Sequence, residues 1–415
     1  MNKDSKLYCN WANHGLALHN SGGALLCCQS RTSLEDNTGK KILWHTHTLD
    51  DAWASPTRKE IQSALDQGIQ HPNCDACWDE ENVGGKSRRQ WQNDTDIEYA
   101  DTPDVPRLLD LKLGNICNLS CRTCNPGVST HWYRDWWEVI EKNNNNFKTF
   151  DEYVTRMFST IKLSYSPDNT EFWNRLLEWL PHARYIDIYG GEPMLAHRLF
   201  EVLQHSIDLG YNKYQQLHFN TNCTIWNQAY IDILSQFKTV HIDLSIDGLY
   251  EQYDYMRHGE TWDVVVANMD RYYEYQRQYD HHALCICITV SNLNVYYIDE
   301  IWKYFESKNI NVHYNFAHQP FHINLKTIPA QARKQVTEKL LNNKDSKKDE
   351  SYLQAVRPVI DYMNNVADSQ EEKTGWKDFV RITNELDIRR KQNFATTFPE
   401  YYQLLKEFIV PESHS

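Results

Sequence analysis

Three cysteines, Cys117, Cys121 and Cys124, lie in the run Cys117-Asn118-Leu119-Ser120-Cys121-Arg122-Thr123-Cys124. Their spacing is C-x3-C-x2-C, and the run follows a strand-like segment, Leu108 to Leu113. Three thiolates on one short loop can hold three irons of a cubane iron–sulfur cluster. The fourth iron then lacks a protein ligand and is open to a small molecule. That geometry binds a cofactor at iron and passes it one electron. A second signature is Gly190-Gly191-Glu192-Pro193, directly after the strand-like Tyr185–Tyr189. Without a Cβ, the two glycines let the backbone approach a ligand and take unusual dihedrals. They suit a tight strand-to-helix turn closed by Pro193 equally well. Further on, Ser245-Ile246-Asp247-Gly248 ends another strand-like run, and Met256-Arg257-His258-Gly259 follows it. An arginine fork suits a carboxylate because it can make two parallel charge-assisted bonds.

The elements that must position these residues are legible as alternation. From about residue 107 to 320, strand-like runs (107–113, 184–189, 216–221, 240–246, 284–290, 312–316) alternate with helical patterns (172–180, 194–209, 228–237, 262–278, 298–307). Such β-α repetition predicts a parallel sheet with crossover helices. Six units fall short of the eight, and ~250 residues, of a closed (β/α)8 barrel. The predicted fold class is therefore α/β, with a partial (β/α)6 TIM-like barrel at residues 107–325. Ahead of it lies a cysteine-rich region, 1–106, and behind it a helical extension, 326–415. In parallel α/β folds ligands bind at the carboxyl ends of the strands, where both signature segments fall. Residues 141–146 are expected to form a polar loop and 342–350 a solvated linker.

Cysteine spacing, Gly-Gly-Glu-Pro and the order of the elements together resemble the radical S-adenosylmethionine (SAM) superfamily. The resemblance implies that Cys117, Cys121 and Cys124 hold a [4Fe-4S] cluster that binds SAM. It assigns Gly190, Gly191 and Glu192 to the amino group of SAM, Ser245 to its ribose and Arg257 to its carboxylate. Asn220 and Asn222 resemble the family's polar third strand end, and Thr289, Ser291 and Asn292 end the fifth strand. One departure is Thr123, where many relatives carry an aromatic residue near the adenine. The implied chemistry is one-electron reductive cleavage of SAM to a 5′-deoxyadenosyl radical, which abstracts a hydrogen atom from a substrate.

A second cysteine set precedes the barrel: Cys9, Cys27, Cys28, Cys74 and Cys77. Cys74-Asp75-Ala76-Cys77 is a C-x2-C half-site for zinc or iron–sulfur. Cys9 and one of Cys27 or Cys28 complete four ligands, with the choice between the adjacent pair left open. The run Cys9 to Cys28 reads as a hairpin ending in ligands. This segment, with Gly84-Gly85-Lys86-Ser87-Arg88-Arg89, the barrel's first strand, Leu386–Arg390 and Phe398-Pro399-Glu400, resembles twitch/SPASM-type proteins that carry the auxiliary-cluster segment first. The resemblance implies an auxiliary [4Fe-4S] cluster; zinc is the alternative, because thiolates suit both metals. The remaining Cys223, Cys285 and Cys287 are expected to be structural, and His313 and His318 to satisfy local hydrogen bonds.

Bulk properties narrow the partners. The chain has 415 residues, 41% of them hydrophobic, which makes it globular rather than disordered. A formal charge of −13 argues against a binder of long nucleic acids. The polar start of the chain shows no signal-peptide pattern, and no stretch reaches the ~18 apolar residues of a membrane span. A cytoplasmic protein is expected, whose cysteines are metal ligands or reduced thiols. Its expected partners are a reductant such as flavodoxin or ferredoxin and a substrate. That substrate is a peptide or protein side chain, or a small sugar- or nucleotide-like metabolite. No winged-helix peptide-binding domain is seen ahead of the barrel, which weighs against leader-peptide dependence. The competing reading is a non-catalytic iron–sulfur protein for electron transfer or scaffolding, for which Gly-Gly-Glu, Ser245 and Arg257 have no use.

Overall fold

The computed structural model describes residues 5–82, 84–95, 97, 104–144, 146–342, 350–367 and 369–409. Residues 343–349, most of the expected linker, lie outside the described residues, as does Asn145. Eight strands form one sheet: β1 (Gly15–Leu18), β2 (Ala24–Leu25), β3 (Leu108–Leu111), β4 (Tyr185–Ile188), β5 (Gln216–Thr221), β6 (Thr239–Ser245), β7 (His282–Val290) and β8 (Val312–Phe316). Their spatial order is β2-β1-β3-β4-β5-β6-β7-β8. The six strands β3 to β8 are parallel and pair in chain order, as the partial barrel requires. Helices occupy the crossovers, among them Thr170–Trp179, His197–Asp208, Gln228–Leu234, Trp262–Gln276 and Ile298–Glu306.

Period-two alternation sorts the side chains of these strands onto two faces. Ile186 and Ile188 of β4, Leu217 and Phe219 of β5, and Val240, Ile242 and Leu244 of β6 are buried in the main apolar core beneath the helices. The other, inner face carries Asp110, Asp187, His218, Asn220, His241, Asp243 and Ser245. An ordinary parallel strand is apolar on both faces; here one face is polar, so the inside of the barrel is built for chemistry and not for packing.

Two findings modify the expected organisation. β1 pairs in parallel with β3, through Gly15↔Leu108 to Leu18↔Leu111, and antiparallel with β2. The N-terminal region thus extends the barrel sheet, and a boundary at residue 106 does not coincide with an edge of that sheet. The stretch expected as a polar loop at 141–146 continues instead as helical turns to Asn144. Behind the barrel the chain is helical, with Ala330–Asn342, Glu350–Asn364, Gln370–Arg390 and Pro399–Leu405. A reciprocal cap between Ser369 and Glu372 starts the longest of these.

Candidate active site

The cysteine loop leaves β3 and is held by backbone bonds to the segment after helix Tyr250–Met256. The Ser120 amide donates to the His258 carbonyl (2.8 Å) and the Arg122 amide to the Met256 carbonyl (2.7 Å). Gly259 has φ +124°, and a Cβ there would meet the Asn118 carbonyl at 2.9 Å, so only glycine fits against the loop. From outside, the Trp132 Nε1–H donates to the Cys121 carbonyl at 2.8 Å. Arg122, buried, donates to Asp387 of the C-terminal helix at 2.5 Å, and the Tyr255 hydroxyl donates to the same carboxylate.

Within this frame the thiols of Cys117, Cys121 and Cys124 cluster around Leu119. Cys121 and Cys124 hydrogen-bond each other, which lowers the Cys121 thiol and raises that of Cys124. Burial, with Cys121 beside it, pushes the Cys117 thiol up to about 12. Cys117 and Cys124 thus resist ionisation beside Cys121, and a cation would let all three become thiolates together.

The Gly-Gly-Glu turn packs directly on this loop. Gly190 has φ +110°, and a Cβ on Gly191 would stand 2.1 Å from the Ile116 carbonyl oxygen. The Glu192 amide donates to that same carbonyl at 2.7 Å. Close approach of backbone is thus required here, and the partner it meets is the cysteine loop. The Glu192 side chain is turned inward: its carboxylate accepts from the Met194 amide (2.9 Å), the Thr221 hydroxyl (2.8 Å) and the Asn222 amide (2.7 Å). It therefore braces the ends of β4 and β5. Asn222 continues the brace by donating to Asn118 Oδ1 at 2.9 Å, with the Cys117 sulfur 3.8 Å away.

Arg257 is buried and donates from Nη1 to Asp247 Oδ2 at 2.7 Å, while Asp247 Oδ1 accepts from the Thr289 amide at 2.8 Å. Burial opposes the Arg257 charge, but Cys121 and Asp247 hold the guanidinium well above its ordinary value. Its Nε–H, fully buried, has no hydrogen-bond partner among the described residues. A guanidinium fixed on one side and unpartnered on the other, beside the cysteine loop, fits a carboxylate ligand. Asp247, which aims it, is a site residue that sequence reading did not single out; the signal was an acid ten positions before the arginine. Ser245 and Asn220 lie on the inner face near these strand ends, Ser245 in register with Cys287 and Asn220 with Asp243. Asn292 lies within the fold, its amide donating to the His322 carbonyl (2.8 Å) and the Thr327 hydroxyl (3.1 Å). Ser291 is likewise fully buried.

Below the strand ends runs a polar chain that sequence reading missed. Arg88 pairs with Asp187. His218 stands between two carboxylates, Nδ1 2.8 Å from Asp187 Oδ1 and Nε2 2.9 Å from Asp243 Oδ2. Burial alone would lower its imidazole, but the two carboxylates reverse this and lift it to about 10. The Tyr189 hydroxyl donates to Asp110 Oδ2 at 2.8 Å, and burial raises the Asp110 carboxyl to about 6. The visible signal was a polar residue at every second position of β4, β5 and β6.

The second cysteine set also converges. Cys9, Cys27, Cys74 and Cys77 line one cavity with Trp11, Trp78, Arg88 and Arg89. Cys9 precedes the short helix Asn10–His14, Cys74 ends a single turn and Cys77 lies in helix Asp75–Asn82. The loop after Cys27 is tied to the residue before Cys74, the Thr32 amide donating to Asn73 Oδ1 at 2.7 Å. Arg89 ties the other two pieces, donating to Glu81 (2.6 Å) and to the Tyr8 carbonyl (2.8 Å). Burial pushes the Cys74 and Cys77 thiols up to about 12. Cys28 does not line this cavity; its electrostatic neighbours are Arg88, Asp110, Lys112 and Asp187 of the barrel interior. Cys285 and Cys287 bond locally, the former to the Asn311 carbonyl and the latter to Asn315. The thiol of Cys223 faces the Val265 carbonyl, and His318 meets the Tyr362 hydroxyl at 3.0 Å.

Among the described residues no helix is long and apolar enough to cross a membrane. No curated protein matches the chain in sequence. Among solved structures, anSMEcpe with bound AdoMet aligns at 18% identity and a TM-score of 0.38, covering 60% of this chain and 61% of that one. Streptococcus suis SuiB bound to S-adenosylmethionine aligns at 13% identity and a TM-score of 0.36, covering 70% and 58%. SuiB bound to precursor peptide SuiA aligns at 13% identity and 0.36, covering 67% and 62%. The alignment thus spans less than two thirds of each of these proteins. In sequence, the Radical SAM superfamily model matches residues 111–294. The matched stretch, which is similar to that superfamily, runs from the end of β3 through the cysteine loop and the turns after β4, β5 and β6 to just beyond β7.

Proposed function

We propose that the protein is a radical SAM enzyme that takes a hydrogen atom from its substrate. The observation that carries this reading is the buried Arg257–Asp247 pair with its unpartnered Nε–H beside three clustered thiols at the carboxyl ends of the strands. Cys117, Cys121 and Cys124 would hold a [4Fe-4S] cluster, and Arg257 the carboxylate of SAM. When bound, cluster and SAM would supply the radical chemistry that takes the hydrogen atom, with one electron from an external donor. The chain's own residues do the rest. Asp247 aims Arg257, and Glu192, Thr221 and Asn222 lock the ends of β4 and β5 at the separation the site needs. The Trp132, Arg122 and Asp387 contacts keep the cysteine loop fixed and dry. Ser245 and Asn220 face the same interior and would meet the nucleoside part.

Cys9, Cys27, Cys74 and Cys77 would hold an auxiliary metal centre, with Cys27 and not Cys28 as ligand, because Cys27 shares their cavity. A four-thiolate set suits a [4Fe-4S] cluster or zinc; we favour the cluster, as in twitch-type proteins. The substrate is a peptide or protein side chain, or a sugar- or nucleotide-like metabolite, bound against the polar inner face of the barrel. Electrons would come from a flavodoxin- or ferredoxin-type donor in the cytoplasm.

The test is anaerobic reconstitution followed by iron, sulfide and zinc counts. About eight irons per chain, falling to about four in Cys117/Cys121/Cys124→Ala, supports two four-iron clusters. About four irons plus one zinc makes the N-terminal centre a zinc brace. SAM with a strong reductant must then give 5′-deoxyadenosine above a Cys117→Ala control. Iron incorporation without that product would favour the electron-transfer reading.

A further inference from the structure

We propose that His218, His241 and Asp243 form an open binding site for a divalent cation of the zinc class, on the inner face of the barrel and separate from both cysteine sets. The strand register brings the three together. His218 of β5 and His241 of β6 are direct cross-strand partners, and Asp243 follows His241 by two positions on the same face. One donor atom from each lies within 4.8 Å of the others. His218 Nε2 is 2.9 Å from Asp243 Oδ2, and His241 Nε2 is 3.2 Å from Asp243 Oδ1. Ligand atoms bound at the usual zinc–nitrogen and zinc–oxygen lengths of ~2.0–2.2 Å stand roughly 3.3 Å apart in a tetrahedral site. The observed spacings, 2.9 and 3.2 Å, lie just below that value.

Two further observations point to a cation. Asp243 Oδ1 is buried and has no hydrogen bond, although the His241 ring nitrogen stands 3.2 Å away. The contact lacks the geometry of a shared proton, whereas both atoms can address one ion. Behind the first histidine, His218 Nδ1 faces Asp187 Oδ1 at 2.8 Å, and Asp187 is itself fixed by Arg88. A carboxylate behind a ligating imidazole is the arrangement that fixes its tautomer and strengthens it as a donor. The site opens outward in steps: side-chain exposure is 8% at Asp243, 18% at His218 and 50% at His241. The exposed histidine gives the ion a route in. Three protein ligands of this type leave at least one coordination position for water or a ligand oxygen. Two imidazoles and one carboxylate suit borderline divalent ions, zinc among them, better than hard ions such as Mg2+ or Ca2+.

The test uses the full chain with its cysteine centres reconstituted. Wild type, His241→Ala and Asp187→Asn are dialysed against graded Zn2+, and bound zinc is counted by mass spectrometry. Wild type is expected to hold one more zinc per chain than His241→Ala, with iron and sulfide unchanged between them. Asp187→Asn, which keeps all three ligands, is expected to weaken that zinc by about 10- to 100-fold. His241 is half-exposed, so its alanine variant keeps the fold, and unchanged thermal unfolding checks this. Equal zinc counts in wild type and His241→Ala at every concentration would overturn the proposal.

Discussion

Replacing Arg257 by lysine separates ligand recognition from the integrity of the site. Asp247, fully buried, depends on the Arg257 charge, and removing that charge would leave a buried carboxylate unpaired at a cost of ~3–5 kcal/mol. Lysine keeps the charge and can stay with Asp247. It cannot also present a second N–H in the direction of the unpartnered Nε. The loss is therefore one charge-assisted hydrogen bond to SAM, about 1.5–3 kcal/mol. That corresponds to a Kd for SAM raised about 10- to 150-fold. Equilibrium dialysis with labelled SAM on the reconstituted protein measures it, with iron per chain as the control. A Kd within about twofold of wild type, at full iron content, would mean that Arg257 does not hold the carboxylate; an arginine with only a structural role behaves in that way.

Other substitutions read other parts of the structure. Cys27→Ser is expected to lose the N-terminal metal while Cys28→Ser keeps it, as metal counts on the purified variants will show. Gly191→Ala places a methyl 2.1 Å from the Ile116 carbonyl, so the cysteine loop must shift. About 1–3 kcal/mol of stability should be lost, with less iron retained per chain after reconstitution. Arg122→Met removes the charged partner of Asp387, which keeps the Tyr255 hydroxyl and the Phe394 amide, and the brace from the cysteine loop, costing about 1–3 kcal/mol in urea unfolding. His282 lies against Tyr279 with neither ring nitrogen hydrogen-bonded, and burial lowers it from 6.5 to about 4. The unfolded chain takes up that proton first, so its contribution is present above pH 6.5 and is lost as pH falls towards 4. His282→Phe should therefore lose about 1–2 kcal/mol less than wild type between about pH 7 and pH 4.5, after allowance for solvent near the ring. Parallel urea curves at both pH values test this, and identical losses in the two proteins would refute it.

The barrel was legible because its information is local. β5 and β8 begin and end where alternation places them, and the other strands differ by a residue or two, since apolar periodicity directly encodes which side chains meet the helices. The spacing of Cys117, Cys121 and Cys124 was legible for the same reason: one loop carries all three. What sequence could not show is what depends on register between distant segments. Nothing near Asp187 announces Arg88, which reaches it across 99 residues. Which of Cys27 and Cys28 shares a cavity with Cys74 is likewise invisible in a dipeptide; the loop after Cys27 is tied to Asn73, next to Cys74. Glu192 shows the converse. Its motif was plain, yet its carboxylate is spent on three internal donors, because the turn it sits in must first be joined to β5.

Arg88 changes how the N-terminal region should be understood. Its helix begins at a reciprocal cap between Ser87 and Gln90, which fixes the direction of both arginines that follow. Arg89 turns back to Glu81 and the Tyr8 carbonyl and closes the four-cysteine cavity. Arg88 lines that same cavity, lies 5.2 Å from the Trp11 ring centroid, and pairs with Asp187 inside the barrel. From Asp187 the chain of contacts passes to His218 and Asp243. One guanidinium thus joins the lining of the four-cysteine cavity to the inner face of the barrel. An appended domain would need only a linker; strand pairing of β1 with β3 and a buried ion pair across the boundary make the two regions one electrostatic and structural unit.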